Sequence, residues 1–274
     1  MTMKLYDQIE EAIAYIREYT DFKPQYGIVL GTGLGNLTDD LLIACEIDYK
    51  DIPHFPISTV QSHKGKLIFA YLAGRPVVVM AGRFHYYEGY SMQQVTFPIR
   101  VLKFLGIETI IITNVSGSTN AHMEAGDIVL VKDHINLHAE NPLRGENDER
   151  LGVRFPDMKN TYDKILISKA LQIAKENNIK IHLGVYLSWQ GPNLETPAEY
   201  RFINTIGADL VGMSTVPEVL VAKHSDLKIM VISIVSNKCF PIEEIKETTV
   251  EDVIAIANTA EPKMRLIIKE ILRA

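Results

Sequence analysis

The sequence predicts an α/β fold, in which helices connect the strands of one largely buried β-sheet. Apolar, strand-like runs alternate with helical patterns along most of the chain, which is the pattern of crossover connections. Several of these runs are continuously apolar, as strands buried on both faces of a sheet usually are. No internal repeat, low-complexity segment or linker interrupts the 274 residues. We therefore expect a single domain over residues 1–274.

The individual elements follow from hydrophobic periodicity and from breaker residues. Apolar runs predict strands over residues 26–31, 67–72, 76–81, 109–114, 127–131, 181–189, 208–213 and 228–236. Helical patterns predict helices over residues 5–19, 92–105, 162–177, 197–206, 216–225 and 250–272. The first of these helices has acidic residues among its apolar positions, which distinguishes it from a signal peptide.

Three of the helices are predicted to begin with a capping box, in which Ser or Thr is followed three residues later by Glu or Gln. The pairs are Ser91 with Gln94, Thr196 with Glu199, and Thr215 with Glu218. The last two pairs lie beside strand ends, where the N–H groups of a helix start carry a partial positive charge. Both pairs primarily indicate where a helix begins, and both are also candidate anion sites.

Composition and charge argue against several classes of protein. The net charge is −6 and no long basic run occurs, so nucleic acid is not an expected partner. No apolar run approaches the roughly 18 residues that cross a bilayer, so no membrane partner is expected. Cys45 and Cys239 are far apart, and no metal-ligand spacing occurs. Without a targeting segment, these features predict a metal-free protein of the reducing cytoplasm.

Residues 82–90, GRFHYYEGY, are the most informative segment. They follow the apolar run at residues 76–81, which predicts a buried strand. Arg83 and His85 place donors two residues apart, and the planar fork of Arg suits phosphate or carboxylate. Because function concentrates at strand ends, the segment predicts an anion site. The alternative is a surface turn with a solvated Arg and a packed His.

A glycine-rich turn, GTGLGN at residues 31–36, follows the first predicted strand. Its glycines let the backbone approach a ligand, and Thr32 adds a hydroxyl. It is not a Walker A loop, and Asn36 stands where the dinucleotide fingerprint requires glycine. A purely conformational turn is the alternative. His63, in SHKG, is a further candidate, although a lone His more often packs or lies at the surface.

Four more polar clusters lie at or near predicted strand ends. The small residues of TNVSGSTN, at residues 113–120, suggest backbone amides that face a ligand. Glu195 is either a favourable charge ahead of a helix or an acceptor for the N–H groups of a ligand. Ser214 and nearby amides can hold an oxyanion. The amide of Asn237 both donates and accepts, which suits the edge of a heteroaromatic ring.

The polar stretch at residues 138–159 is rich in Asn, Asp, Pro and Gly. It is too long to be a plain connection between two elements. It is therefore either a functional loop or an arm that contacts another subunit.

Four strings, taken together, resemble the trimeric purine nucleoside phosphorylase family, which includes the methylthioadenosine phosphorylases. They are MAGRFHYYEGY, GPNLETPAEYR, VGMSTVPEV and ENPLRG with the DERLGVRFPDM that follows, and the resemblance spans about residues 25–240. It implies a mixed β-sheet flanked by helices and a homotrimer. It also implies phosphate-dependent cleavage of purine nucleosides to free base and ribose 1-phosphate, with phosphate as co-substrate and no metal or organic cofactor.

The resemblance also implies roles for individual residues. The phosphate ligands are Thr32, His63, Arg83, His85, Ser214 and the backbone N–H of Val115. The purine contacts are Leu194, Glu195, Val211 and Asn237. The ribose contacts are Tyr87, Met213, Val250 and, from a neighbouring subunit, Phe155. His85, Glu195 and Asn237 are the residues expected to take part in catalysis.

The chain also departs from the family pattern. Val115 adds bulk beside the phosphate, Leu194 replaces an aromatic residue that packs on the base, and Val250 replaces a His near the ribose 5′-hydroxyl. Glu195 and Asn237 favour 6-oxopurine nucleosides, inosine and guanosine, as substrates. Val250 motivates the nearest alternative, a phosphorylase for 5′-modified nucleosides such as methylthioadenosine. A non-catalytic nucleoside-binding or phosphate-binding protein is the alternative from another class.

Overall fold

A mixed β-sheet forms the centre of the computed structural model, which describes residues 3–57 and 64–274. Within those residues the strands are β1 (Tyr26–Val29), β2 (Leu42–Asp48), β3 (Lys66–Leu72), β4 (Arg75–Ala81), β5 (Thr109–Ser118), β6 (Ile128–Asn136), β7 (Ile181–Ser188), β8 (Leu210–Gly212) and β9 (Lys228–Lys238). Helices flank the sheet, so the predicted fold class is confirmed.

The strand order is β2-β3-β4-β1-β5-β8-β7-β6-β9, and β9 also pairs with β5. The second half of the sheet therefore closes into a ring. Strand β1 runs parallel to β4 and β5, and β5 runs parallel to β9. The carboxyl ends of these four strands thus reach the same edge of the sheet, where open α/β sheets usually bind ligands.

Helices cover both faces of the sheet. Among the described residues they are α1 (Leu5–Tyr19), α2 (Met92–Leu105), α3 (Lys164–Glu176), α4 (Pro197–Thr205), α5 (Val216–His224) and α6 (Val250–Arg273). Helices α1, α2 and α5 contribute to one core cluster, and α3 and α6 to another on the opposite face. Successive side chains of β4 alternate between the two clusters. None of these described helices is long and apolar enough to cross a membrane.

Two features of the strands differ from the prediction. Strand β2 has no counterpart in it, because β2 lies at the edge of the sheet and its residues are largely exposed. An exposed edge strand carries no continuous apolar run. Strands β5 and β9 extend to Ser118 and Lys238 because they pair with each other along their whole length. Much of the polar segment at residues 113–120 therefore belongs to a strand and not to a loop.

Two of the three predicted capping boxes are confirmed. Ser91 and Thr196 each accept a hydrogen bond from the backbone three residues later. The third prediction is wrong, because the Thr215 side chain caps no backbone N–H of α5. Thr215 and Glu218 instead interact with Arg83, at the site described next.

Candidate active site

A cleft opens at the edge where β1, β4, β5 and β9 end. It is lined by Gly31, Thr32, Arg83, His85, Tyr87, Asn114, Val115, Leu194, Glu195, Val211, Gly212, Met213, Ser214, Ser236, Asn237, Thr248 and Val253. These residues come from segments far apart in the sequence. The parallel strands bring them together because each strand ends at the same edge.

The glycine-rich turn after β1 lies flat against β5. A Cβ on Gly31 would come within 2.9 Å of the Asn114 Cα and the Thr113 carbonyl oxygen. Gly33 has φ +72°, and a Cβ there would lie 2.8 Å from the Cβ of Ala257. Both positions therefore require glycine. This close packing fixes Thr32, between them, at the cleft.

Arg83 is a buried cation that reaches the wall of the cleft. It follows β4, and only 1% of its surface is exposed. Its Nη1 donates to Ser214 Oγ (3.0 Å), and its Nη2 donates to the Thr113 carbonyl (2.7 Å). Its Nε lies 3.5 Å from Oε1 of Glu218, which is 2% exposed. These contacts hold the guanidinium in one orientation beside the cleft.

Thr215 links Arg83 to the polar groups of β5. Its Oγ1 accepts from Arg83 Nη1 (3.2 Å) and from Asn114 Nδ2 (2.9 Å). Its backbone has φ 74° and ψ −58°, and the Val216 N–H donates to the Ser214 carbonyl (2.8 Å). This geometry is the rare, strained form of the γ-turn. Such strain persists where surrounding contacts enforce it, and it is common at functional sites.

The hydrogen bonds continue into the sheet between β5 and β9. Asn114 Oδ1 accepts from Ser233 Oγ (2.6 Å), and the hydroxyls of Ser233 and Ser116 lie 2.7 Å apart. All three side chains are buried. A hydrogen-bonded polar chain in a low-dielectric interior is rigid, so it keeps Asn114 and, through it, Thr215 in place.

The Ser214 backbone is held from a second side. Its carbonyl accepts from Ser188 Oγ (2.8 Å), and that hydroxyl lies 2.7 Å from His138 Nε2. Burial lowers the pKa of His138 to about 4, so its imidazole is neutral near pH 7. His138 thus supports the Ser214 turn from outside the cleft.

His85 faces the cleft beside a carboxylate. Oε1 of Glu88 accepts from the His85 backbone N–H (2.8 Å) and lies 3.0 Å from His85 Nδ1. A carboxylate at this distance favours the proton on Nδ1 and orients the ring. The ring stacks on Tyr87 with centroids 4.7 Å apart. Burial raises the pKa of Tyr87 to about 12, so its hydroxyl stays protonated.

The cleft lining also carries the carboxylate of Glu195 and the amide of Asn237. Glu195 Oε1 accepts from Trp189 Nε1 at 2.8 Å. Asn237 Oδ1 accepts from Ser236 Oγ at 2.7 Å, and Asn237 Nδ2 donates to Cys239 Sγ at 3.2 Å. Acceptors and donors that are held in this way can recognise the edge of a polar heterocycle.

Most of the predicted site residues line this one cleft. They are Thr32, Arg83, His85, Tyr87, Val115, Leu194, Glu195, Val211, Met213, Ser214 and Asn237. Val250 begins α6 with 65% of its surface exposed and is not among the lining residues, whereas Thr248 and Val253 are. Phe155 is 85% exposed and also lies away from the lining. His63 falls outside the described residues.

Two residues that shape the site were not predicted individually from the sequence. Asn114 lies within the segment singled out at residues 113–120, but its contact with Ser233 depends on the pairing of β5 with β9. Trp189 lies beside the Glu195 motif, and no sequence pattern indicated that its side chain contacts Glu195. Within residues 3–57 and 64–274, no group of three or more His, Cys, Asp or Glu side chains is arranged to hold a metal ion.

Comparisons with known proteins point to one family. The profile described as "Phosphorylase superfamily" matches residues 25–273. The chain is 51% identical to purine nucleoside phosphorylase 1 of Bacillus subtilis (strain 168), over 84% of this chain and 85% of that protein.

Two solved structures from Schistosoma mansoni have the same fold. Isoform 2 of purine nucleoside phosphorylase, in complex with cytosine and ribose-1-phosphate, has a TM-score of 0.91 at 40% identity, covering 97% of this chain and 96% of that chain. A purine nucleoside phosphorylase in complex with adenosine has a TM-score of 0.90 at 39% identity, with the same coverage of 97% and 96%.

Proposed function

This chain belongs to the phosphorylase superfamily and, within it, to the purine nucleoside phosphorylases, and from that premise we propose how its cleft performs phosphorolysis. The reaction cleaves the N-glycosidic bond of a purine nucleoside with inorganic phosphate and yields the free base and ribose 1-phosphate. One observation carries the assignment of residues: Arg83, Ser214, Glu195 and Asn237 all line one cleft. Anion donors and base-reading groups therefore share one cavity.

Phosphate binds in the cleft beside Arg83, His85, Ser214 and Thr32. The guanidinium offers positive charge, and the two hydroxyls and the imidazole add hydrogen bonds. Burial of Arg83 supports this role, because a cation fixed in a low-dielectric wall attracts an anion strongly. Val115, on β5 and in the lining of the same cleft, contributes its backbone N–H. His63 is proposed as a further phosphate ligand.

The bound phosphate acts both as an electrostatic partner and as the nucleophile. As the glycosidic bond breaks, positive charge develops at C1′ of the ribose and negative charge on the departing purine. An anion held beside C1′ stabilises that cation and lies ready to form the new bond. Inorganic phosphate is thus a co-substrate, and no metal or organic cofactor is proposed to take part.

Glu195 and Asn237, in the same cleft, are proposed to recognise the purine. Asn237 donates toward N7 and stabilises the charge that develops on the base, and Glu195 accepts from N1–H. A 6-oxopurine carries that N1 proton, whereas N1 of adenine is a lone pair that would face the carboxylate. An unpaired buried polar group can reduce activity by up to about 10⁴-fold. We therefore assign inosine and guanosine as the preferred substrates, with Leu194 and Val211 packing on the base.

The ribose lies beside Tyr87 and Met213, which also line the cleft. Phe155, 85% exposed on the long polar segment, is proposed to complete the ribose site of a neighbouring subunit in a homotrimer. Its exposure is in keeping with this role, because the ring is accessible to a neighbouring subunit. Cys45 and Cys239 are both free thiols, which is in keeping with a protein of the reducing cytoplasm.

A second candidate is cleavage of 5′-modified nucleosides, which the apolar Val253 on the lining favours. A panel of inosine, guanosine, adenosine and methylthioadenosine, each with and without phosphate, tests the two together. The proposal predicts rapid, phosphate-dependent cleavage of inosine and guanosine and slow cleavage of adenosine. Faster cleavage of methylthioadenosine than of inosine would establish the second candidate instead. If no reaction yields ribose 1-phosphate, the alternative of a non-catalytic nucleoside-binding or phosphate-binding protein would replace both candidates.

A further inference from the structure

Trp189 donates a hydrogen bond to the Glu195 carboxylate, which is proposed to recognise the base. It is the only tryptophan of the chain and directly follows β7. Its backbone N–H donates to the Gly212 carbonyl at 3.2 Å, which fixes the residue to the end of β8. Its side chain packs against the small core cluster beneath α4. From this anchored position the indole Nε1 donates to Glu195 Oε1 at 2.8 Å.

This contact determines where the carboxylate points. Glu195 lies on the loop just ahead of α4, and a glutamate side chain has several rotamers to choose from. Indole N–H is a donor only, so Trp189 holds Oε1 as an acceptor. The same contact fixes the orientation of the carboxylate, and with it the direction from which the carboxylate can accept a further hydrogen bond.

A second aromatic residue, Tyr200, lies on α4 and belongs to the same small core cluster as Cys239. Burial raises the pKa of Tyr200 well above its ordinary value, so its hydroxyl stays protonated. Cys239 Sγ accepts from Asn237 Nδ2 at 3.2 Å. Trp189 packs against this cluster, so one packed unit supports the contacts of both Glu195 and Asn237.

We propose that Trp189 is a positioning residue for purine recognition, which orients the Glu195 carboxylate toward the base. The inference rests on the proposed role of Glu195. It predicts that loss of the indole N–H weakens recognition of the base and leaves phosphate binding unchanged, because Arg83 and Ser214 are held by hydrogen bonds in which the indole takes no part.

The variant Trp189→Phe keeps an aromatic ring and removes the donor. We expect kcat/KM for inosine to fall about tenfold, mainly through KM, as for loss of one hydrogen bond to a charged group, while KM for phosphate stays constant. Tyr162→Phe is a matched control, because it also removes one aromatic donor, at 2.9 Å from His134 and away from the cleft. An unchanged KM for inosine in Trp189→Phe, or equal losses in both variants, would overturn the proposal.

A double-mutant cycle identifies the partner through which Trp189 acts. In a Glu195→Gln background, Trp189→Phe is expected to add much less than its tenfold effect in the wild type. An undiminished effect in that background would show that Trp189 acts elsewhere and would overturn the proposal.

Fluorescence of the single tryptophan gives a readout that needs no turnover. Hypoxanthine is expected to change the emission of Trp189 in the wild type and not in Glu195→Gln, and phosphate alone is expected to leave it unchanged. An emission that ignores hypoxanthine, or that responds to it equally in Glu195→Gln, would contradict the positioning role. A wild type that does not cleave inosine would refute the proposed function, and the emission response would still decide the role of Trp189.

Discussion

Replacing Arg83 by methionine tests whether one buried cation serves both the fold and the phosphate site. Arg83 and Glu218 are 1% and 2% exposed, and their closest charged atoms are 3.5 Å apart. Removal of one partner from such a pair leaves a buried charge without its counter-ion, which lowers the free energy of unfolding by about 3–5 kcal/mol. Glu218 lies in the first turn of α5, where the helix dipole favours a carboxylate by about 0.3–2 kcal/mol. We therefore expect Arg83→Met to lower the free energy of unfolding by about 3 kcal/mol.

A double variant separates stability from phosphate binding. Adding Glu218→Gln to Arg83→Met neutralises the stranded carboxylate, so we expect it to recover more than half of the lost stability. The double variant still lacks the guanidinium of Arg83. KM for phosphate is therefore expected to stay raised by about a hundredfold, since charged hydrogen bonds contribute about 1.5–3 kcal/mol each. Urea unfolding followed by circular dichroism measures the first quantity, and phosphate titration of inosine cleavage measures the second. A double variant no more stable than Arg83→Met, or one that binds phosphate like the wild type, would refute this reasoning.

Three further changes test other parts of the site. Thr215→Ala removes the acceptor of two buried donors, Arg83 Nη1 and Asn114 Nδ2. We therefore expect urea unfolding to show a free energy of unfolding lower by about 2–3 kcal/mol, whereas Thr215→Ser keeps the hydroxyl and most of the stability. Glu195→Gln is expected to lower the ratio of kcat/KM for inosine to that for adenosine; an unchanged ratio would remove Glu195 from base recognition. The folded-state pKa of His138 is about 4, below its usual 6.5, so the unfolded chain binds a proton more readily. Stability is therefore expected to fall as pH drops from about 6.5 toward 4, and thermal melts of His138→Gln are expected to show a weaker fall.

Hydrophobic periodicity predicted the sheet and its helices because buried strands and amphipathic helices have distinct local patterns. The predicted helix over residues 92–105 agrees with α2 in both bounds, and its Ser91 cap is local as well. Strand β2 was missed, since its pairing with β3 at the exposed edge leaves little apolar signal. Sequence alone therefore predicts those elements whose stabilising contacts recur at fixed spacing.

The lining of the cleft was predictable wherever motifs lie at strand ends, and the contacts behind it were not where two distant segments decide the geometry. Thr215 and Glu218 have the spacing of a capping box, but the buried guanidinium of Arg83 competes for both side chains and determines their roles. Val250 was singled out from its place in a motif, whereas the path into α6 brings Thr248 and Val253 to the lining. Such choices depend on tertiary contacts that local patterns do not encode.

Phosphate, held beside Arg83 and Ser214, is proposed as the nucleophile that takes the ribose. Cleavage of inosine with phosphate labelled with heavy oxygen at every position, followed by mass spectrometry of the sugar product, tests this role. We expect ribose 1-phosphate that keeps the full label, including the oxygen that bridges C1′ and phosphorus, in amounts equal to the hypoxanthine released. Free ribose without label, formed at the same rate when phosphate is omitted, would contradict it.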